Sequence, residues 1–160
     1  MIVCEPTARA SVAMPIRSFK EADLADVCRI YVDAKRDELA YEGKVIDVIA
    51  LEEDAVILAA FRESEVIVWD DGGVVGFAAM FDGQLRALFV HSEARGRGVG
   101  HALLDAALAR APEGLCLHVA ESNLNARQFY ERSGFTVTGQ AKRRYNGIDI
   151  SYVKMSSPSV

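Results

Sequence analysis

The order of periodicities in this chain predicts a mixed α/β domain: a mostly antiparallel sheet of six to seven strands covered by about four helices. Three observations carry that prediction. Apolar residues recur at helical spacing in two stretches before residue 63. From Glu65 to Val90 the pattern changes to strands separated by turn glycines. Beyond Gly96 a glycine-rich turn, a helix, a strand, a second helix and a hairpin follow in that order. No internal repeat is visible.

Taken along the chain, residues 1–13 are rich in small residues and carry no period, so they read as a mobile tail, with Met14 as an alternative start. Pro15 to Phe19 reads as a short strand, and Ser18-Phe19-Lys20-Glu21 as a capping box that opens a helix. Leu24, Val27, Cys28, Tyr31 and Val32 form the apolar stripe of that helix, with Gly43 as its stop. Residues 46–49 read as a linker, and Leu51 to Arg62 as a helix with Ala55, Leu58, Ala59 and Arg62 along one side. Asp70-Asp71-Gly72-Gly73 and Asp82-Gly83 then divide a three-stranded meander, Val66–Trp69, Val74–Phe81 and Leu85–Val90. A helix from Gly98 stops before Pro112, Leu115 to Val119 is a strand, and a helix from Leu124 is closed by Gly134. Thr136–Lys142 and Ile148–Met155 pair across Asn146-Gly147, and Ser156 onward is a tail. Residues 14–155 thus form a single domain, large enough at 51% hydrophobic composition to bury about two thirds of its unfolded surface.

Composition excludes several classes of protein. No apolar run approaches the roughly 20 residues needed to span a bilayer, and the first residues lack the basic start and apolar core of a secretory signal. A cytoplasmic protein without a membrane partner is expected. Cys4, Cys28 and Cys116 include no C-x-x-C, so neither a disulfide framework nor a metal site is expected. The net charge of −5 argues against a nucleic-acid partner. A basic loop in an acidic chain suits a small polyanion better.

That loop is Arg95-Gly96-Arg97-Gly98-Val99-Gly100. Its alternate glycines allow a ligand to approach the backbone without meeting a Cβ. Val99, Leu103, Leu104, Ala107 and Leu108 follow at helical spacing, so the loop's N–H donors stand at a helix N-terminus that favours an anion. The P-loop pattern fails for want of its Lys, and the dinucleotide fingerprint fails because His101 occupies the place of its third glycine. Arg/Gln-x-x-Gly-x-Gly/Ala does fit, through Arg95, Gly98 and Gly100. Downstream, Asn123-Leu124-Asn125-Ala126-Arg127-Gln128-Phe129-Tyr130-Glu131-Arg132-Ser133-Gly134-Phe135 supplies a second block. On these two blocks, in this order, the chain resembles the GNAT superfamily of N-acetyltransferases. The likeness extends over Ile16 to Met155 and is specific from Leu85 to Phe135.

The resemblance implies the GNAT fold, acetyl-CoA as cosubstrate, no metal, and transfer of the acetyl group to a primary amine by direct attack in a ternary complex. It places the cofactor's diphosphate on Arg95, Gly96, Arg97, Gly98, Val99 and Gly100. The pantetheine arm and acetyl carbonyl fall on main-chain groups of Phe89 and Val90, at the end of a strand that splays from its neighbour. Asn123 matches the asparagine that meets the cofactor arm and is equally a helix N-cap; Asn125 is the substitute if the register moves by two. Tyr130 matches the tyrosine that donates a proton to the leaving thiolate, against the alternative of a packed helix aromatic. Ser92 departs from the proline common there in the family, which affects strand exit more than chemistry.

For the general base the residues leave several choices open: Glu121, His118, acids of the first helices, or a water relay. His118 alternates with Leu117 and Val119 and reads first as a structural histidine, and His91 and His101 as surface residues or weak phosphate contacts. Lys142-Arg143-Arg144 reads as a charged sheet edge. The resemblance sets the acceptor groove beside the first helices, where eight acids (Asp33, Asp37, Glu38, Glu42, Asp47, Glu52, Glu53, Asp54) outnumber Lys35, Arg36 and Lys44. That excess would favour a small-molecule cationic amine, unless the helices simply present charge to solvent. A homodimer joined through sheet edges is left open. Two other readings compete: a catalytically silent CoA-binding sensor or assembly domain, and a nucleotide-binding regulatory protein using the same loop.

Overall fold

In the computed structural model, which describes residues 15–158, β1 (Ile16–Ser18), β2 (Glu65–Asp70), β3 (Val74–Phe81), β4 (Gln84–Val90), β5 (Cys116–Ala120), β6 (Thr136–Tyr145) and β7 (Ile148–Ser156) join in one seven-stranded sheet. Its order is β1-β2-β3-β4-β5-β7-β6, antiparallel throughout except between β4 and β5. Four helices cover it: α1 (Leu24–Leu39), α2 (Ala55–Glu63), α3 (Val99–Ala109) and α4 (Leu124–Arg132). This is the α/β architecture expected from the sequence. The expected tail over residues 1–13, with Cys4, lies outside the described residues. At the other end, β7 includes Ser156, and the Ser157 hydroxyl accepts from the Leu115 N–H at 2.8 Å, so the strand runs into the expected C-terminal tail.

Both faces of the sheet are buried, which the alternation along β2 makes plain. Val66 and Val68 point into a core with Val27, Ile30, Phe61 and Phe77 under α1 and α2. Ile67 points the other way, into a core with Leu103, Leu104, Leu117, Tyr130 and Phe135 under α3 and α4. A third cluster of Leu39, Ala120, Tyr145, Ile150 and Tyr152 seats the end of α1 on β5–β7.

The hairpins take the turns their residues dictate. Asp82-Gly83 and Asn146-Gly147 have positive φ at both positions (49° and 73°; 47° and 77°), the twist that suits right-handed strands. Gly76 answers a packing need instead. A Cβ there would stand 3.1 Å from Leu103 Cδ1, 3.2 Å from Val99 Cγ1 and 3.2 Å from the Phe89 carbonyl oxygen. Glycine thus lets α3 lie against β3, which fixes where α3 begins. Gly76→Val should therefore cost about 1–3 kcal/mol by overpacking, read as a lower urea midpoint. An unchanged midpoint would mean that α3 does not rest on this contact.

Several local expectations are corrected. The Ser18/Glu21 capping box does not form. The cap is Lys20, whose N–H donates to Asp23 Oδ2 at 2.8 Å, because buried Asp23 is already fixed by Arg17 at 2.8 and 2.9 Å. Arg17 holds the Asp23 carboxyl below the usual carboxylate range. In α1 the deepest residues are Val27 and Ile30, while Leu24, Cys28 and Val32 are only partly covered. The expected helix from Leu51 to Arg62 is broken at Asp54, whose side chain accepts from the Ile57 N–H at 3.2 Å and starts α2 afresh. Its inward residues are Phe61 and Leu58, with Ala55, Ala59 and Arg62 exposed, since the new start rotates the apolar face. Residues 46–49 carry no regular structure, as expected, yet they are pinned: the Ile49 N–H donates to the Tyr145 hydroxyl at 2.8 Å and Asn146 Nδ2 to the Asp47 carbonyl at 3.1 Å.

Candidate functional site

β4 and β5 register at one pair only, Gln84 with Cys116, next to the 2.9 Å bond from the Cys116 N–H to the Gly83 carbonyl. Beyond it β4 stays on β3 and β5 stays on β7, so the sheet opens into a gap. A cleft of about 590 Å3 occupies it, lined by Leu88, Phe89 and Val90 from β4 and by Leu117, His118 and Val119 from β5. Gly98, at the start of α3, and Tyr130, on α4, also line it. The expected splay is thus present. The edge of β4 that faces the gap has no strand partner past Gln84, leaving main-chain groups for an extended ligand.

The glycine-rich loop forms the far end of the cleft. Gly96 (φ 77°) and Gly98 (φ 80°) are left-handed, and a Cβ on either would meet nothing within 4 Å. The open space lies where a diphosphate would sit. The first intrahelical bond of α3 runs from the Ala102 N–H to the Gly98 carbonyl at 3.0 Å, so the N–H groups of Val99, Gly100 and His101 precede it and remain for an anion. The residues present therefore fit the diphosphate of acetyl-CoA. Val99 itself is 3% exposed and can offer only its backbone. Gly100 differs from its neighbours: its Cβ would touch Phe129 at 3.7 Å, an ordinary contact, and it brings α3 close to α4.

Of the expected cofactor residues, all but Arg97 line the cleft. Arg97 is exposed and has no ion-pair partner among the described residues. Arg95 is engaged elsewhere. It pairs with Asp37, lies 3.7 Å from Asp33, and donates through Nε to the Val90 carbonyl at 3.2 Å. Asp33 also accepts from the Ser92 N–H and hydroxyl at 2.8 and 2.9 Å, which is how the chain leaves β4 without the family proline. Arg95 thus fastens the loop to α1. Arg95→Ala should cost about 0.2–1 kcal/mol of stability at low salt and less at high salt, as for exposed ion pairs. Its effect on acetyl-CoA affinity should stay below that of a change at Gly98. An affinity loss exceeding that of Gly98→Val, measured by calorimetry, would return Arg95 to direct phosphate contact.

On α4, the Asn123 side chain accepts from the Ala126 N–H at 3.3 Å, so it caps the helix while lining the cleft; Asn125 lines it too. Tyr130 is 9% exposed, edge-on to Phe129 (5.1 Å) and Phe135 (5.5 Å). Burial, with a lesser push from the charge of Glu38, raises its phenol well above the ordinary value. A phenol in that state keeps its proton. His101 stacks on Phe129 at 4.7 Å and lines the cleft. His91, expected at the surface, is half-buried, its Nδ1 accepting from the Glu93 N–H at 3.2 Å.

The base candidates separate. Glu121 is exposed and does not line the cleft, whereas His118 does. Burial, followed by the charges of Arg143 and Lys154, lowers the His118 pKa and keeps the ring neutral. Three of the eight acids of the first helices are engaged within the chain in this way: Asp33 by Ser92, Asp37 by Arg95, Asp54 by the α2 N-terminus. Sequence reasoning left Ala34 and Tyr41 unassigned and placed Glu38 only among the acids of the first helices, yet all three line the cleft from α1 and the residues after it. Helical spacing from Tyr31 would have found Ala34 and Glu38. Lys142, Arg143 and Arg144 lie exposed on the sheet's edge strand, as expected.

Comparison with known proteins gives one family. The acetyltransferase (GNAT) domain matches residues 38–157. An uncharacterized N-acetyltransferase of Archaeoglobus fulgidus is 33% identical over 141 residues, covering 73% of this chain and 89% of that one. The peptidyl-lysine N-acetyltransferase YjaB of Escherichia coli is 38% identical over 84 residues, 49% of this chain and 56% of its own. The matches thus span about half the length of the curated peptidyl-lysine enzymes. The solution structure of apo YjaB superposes with a TM-score of 0.72 at 26% identity, covering 91% of this chain and 97% of the other.

Proposed function

This chain belongs to the GNAT acetyltransferase family, and we propose that it moves the acetyl group of acetyl-CoA to a primary amine by direct attack in a ternary complex. The observation that carries the reading is the coincidence, in one cleft, of the parted strand β4, the open glycine loop at the start of α3, and a buried tyrosine. Acetyl-CoA supplies an activated thioester. The loop N–H groups of Val99, Gly100 and His101 hold its diphosphate, with Arg97 as the free cation beside them. Main-chain groups of Phe89 and Val90 and the Asn123 side chain orient the arm along β4. Tyr130 holds a proton at its hydroxyl for the departing sulfur. A cytoplasmic protein in which residues 14–155 act as one domain completes the proposal.

The acceptor proposed is an amine that is cationic before it reacts. A lysine side chain belongs in the test set beside small amines, because several relatives are named as peptidyl-lysine enzymes. The test is release of CoA from acetyl-CoA by the full chain with a panel of amines, alongside competition of CoA against ATP for binding. Amine-dependent CoA release is expected. Tight CoA binding without turnover on any amine would favour the silent sensor, and displacement of CoA by ATP would favour a nucleotide-binding regulator.

A further inference from the structure

Glu38 lies on the inward side of α1, one turn beyond Ala34, and its side chain is only 15% exposed. Lys35 Nζ, itself 13% exposed, stands 2.6 Å from Glu38 Oε2 and 5.0 Å over the Tyr145 ring. Oε2 is buried against the Lys35 ammonium. A carboxylate placed this way among Tyr31, Tyr145 and Tyr152 is costly to bury, and an apolar pair of like volume would serve stability at least as well. Stability therefore does not account for it. What Glu38 does have is a place in the same cleft as Phe89, Val90 and Tyr130, and its charge acts on the Tyr130 phenol.

We propose that Glu38 receives the acceptor's ammonium group and removes its proton. This rests on the acetyltransferase reading above. The ammonium gives one proton to the Glu38 carboxylate, which frees the nitrogen lone pair. That lone pair forms the C–N bond as the C–S bond breaks, the sulfur takes the Tyr130 proton, and the second proton leaving nitrogen restores Tyr130. Glu38 then passes its proton to water at the cleft mouth. The net change is ammonium plus thioester to amide, thiol and one proton. Lys35 offsets the charge from the Oε2 side. Its rivals are less suited to a cation: His118 is flanked by the positive Arg143 and Lys154, and Asp37 is more exposed and held by Arg95.

Two probes that differ only in charge test this: a blocked lysine tripeptide, and the same tripeptide with an aminooxy side chain, which is neutral at pH 7. Acetyl-CoA affinity of Glu38→Gln, measured by calorimetry, should stay within about 3-fold of the parent, showing that the cleft is folded. Its turnover on the lysine probe should fall about 100-fold or more, within the range for loss of a general base, and on the aminooxy probe by less than about 5-fold. Glu38→Asp should recover part of the lysine activity. Equal losses on both probes, or none, would overturn the role of Glu38 while leaving the enzyme reading intact. If Glu38→Gln fails to bind acetyl-CoA, Glu38→Asp decides: a folded variant losing both probes equally overturns the proposal. A parent chain inactive on both probes and on the amine panel would overturn the acetyltransferase reading, and this role with it.

Discussion

Tyr130→Phe should lower amine-dependent CoA release about 10- to 1000-fold while acetyl-CoA affinity and thermal stability stay close to the parent, the pattern of a lost general acid. The expectation of intact packing comes from geometry. The ring is held edge-on by Phe129 and Phe135, and phenylalanine keeps both contacts. The expectation of lost turnover comes from electrostatics. Burial, then the nearby charge of Glu38, keeps the phenol protonated throughout the physiological range, so the hydroxyl can serve as donor and not as base. The measurement is steady-state turnover at saturating acetyl-CoA with calorimetry on the same preparation. Full turnover in a folded variant would leave Tyr130 as a packed aromatic and move the proton donor elsewhere in the cleft.

The backbone of the glycine-rich loop and α4 were legible in the sequence because their signals are local. Gly98 needs a positive φ, Gly134 closes a helix, Asn123 starts one, and each requirement is written within a few residues. The β3–β4 turn of the meander and the final hairpin were legible for the same reason: Asp82-Gly83 and Asn146-Gly147 encode their own turns. What escaped is decided across long separations. Nothing near Arg95 shows that Asp37, 58 residues earlier, pairs with its guanidinium, so the tie between loop and helix was not legible there. The acid excess near the first helices was visible as composition, but its field was not, because Ser92, Arg95 and the α2 N-terminus neutralise or cap three of the eight acids. Asp23 escaped for a different reason. Its bond to Arg17 spans only 6 residues but depends on how β1 enters the helix, and it moves the helix cap away from the sequence's capping box. Glu38 was one of several acids of the first helices left open as base, since only the packing of α1 over the gap singles it out by bringing it to Tyr130's cleft.

Gly98→Val should weaken acetyl-CoA binding by about 2–3 kcal/mol, roughly 30- to 150-fold, through two effects that reinforce each other. The backbone at φ 80° is strained for a β-branched residue, which tends to turn the first N–H groups of α3 away from the ligand. The side chain would also occupy the open space over the loop, since a Cβ there has no protein neighbour within 4 Å. Gly72 separates these effects. It has nearly the same φ, 79°, and the same open surroundings, but lies in the β2–β3 turn and does not line the cleft. Gly72→Val should thus cost comparable stability with no change in affinity, whereas Gly98→Val costs both. Calorimetry and thermal unfolding on the two variants give the comparison. Equal affinities for the pair would remove the loop from the cofactor site, and an equal loss in both would assign the effect to general destabilisation.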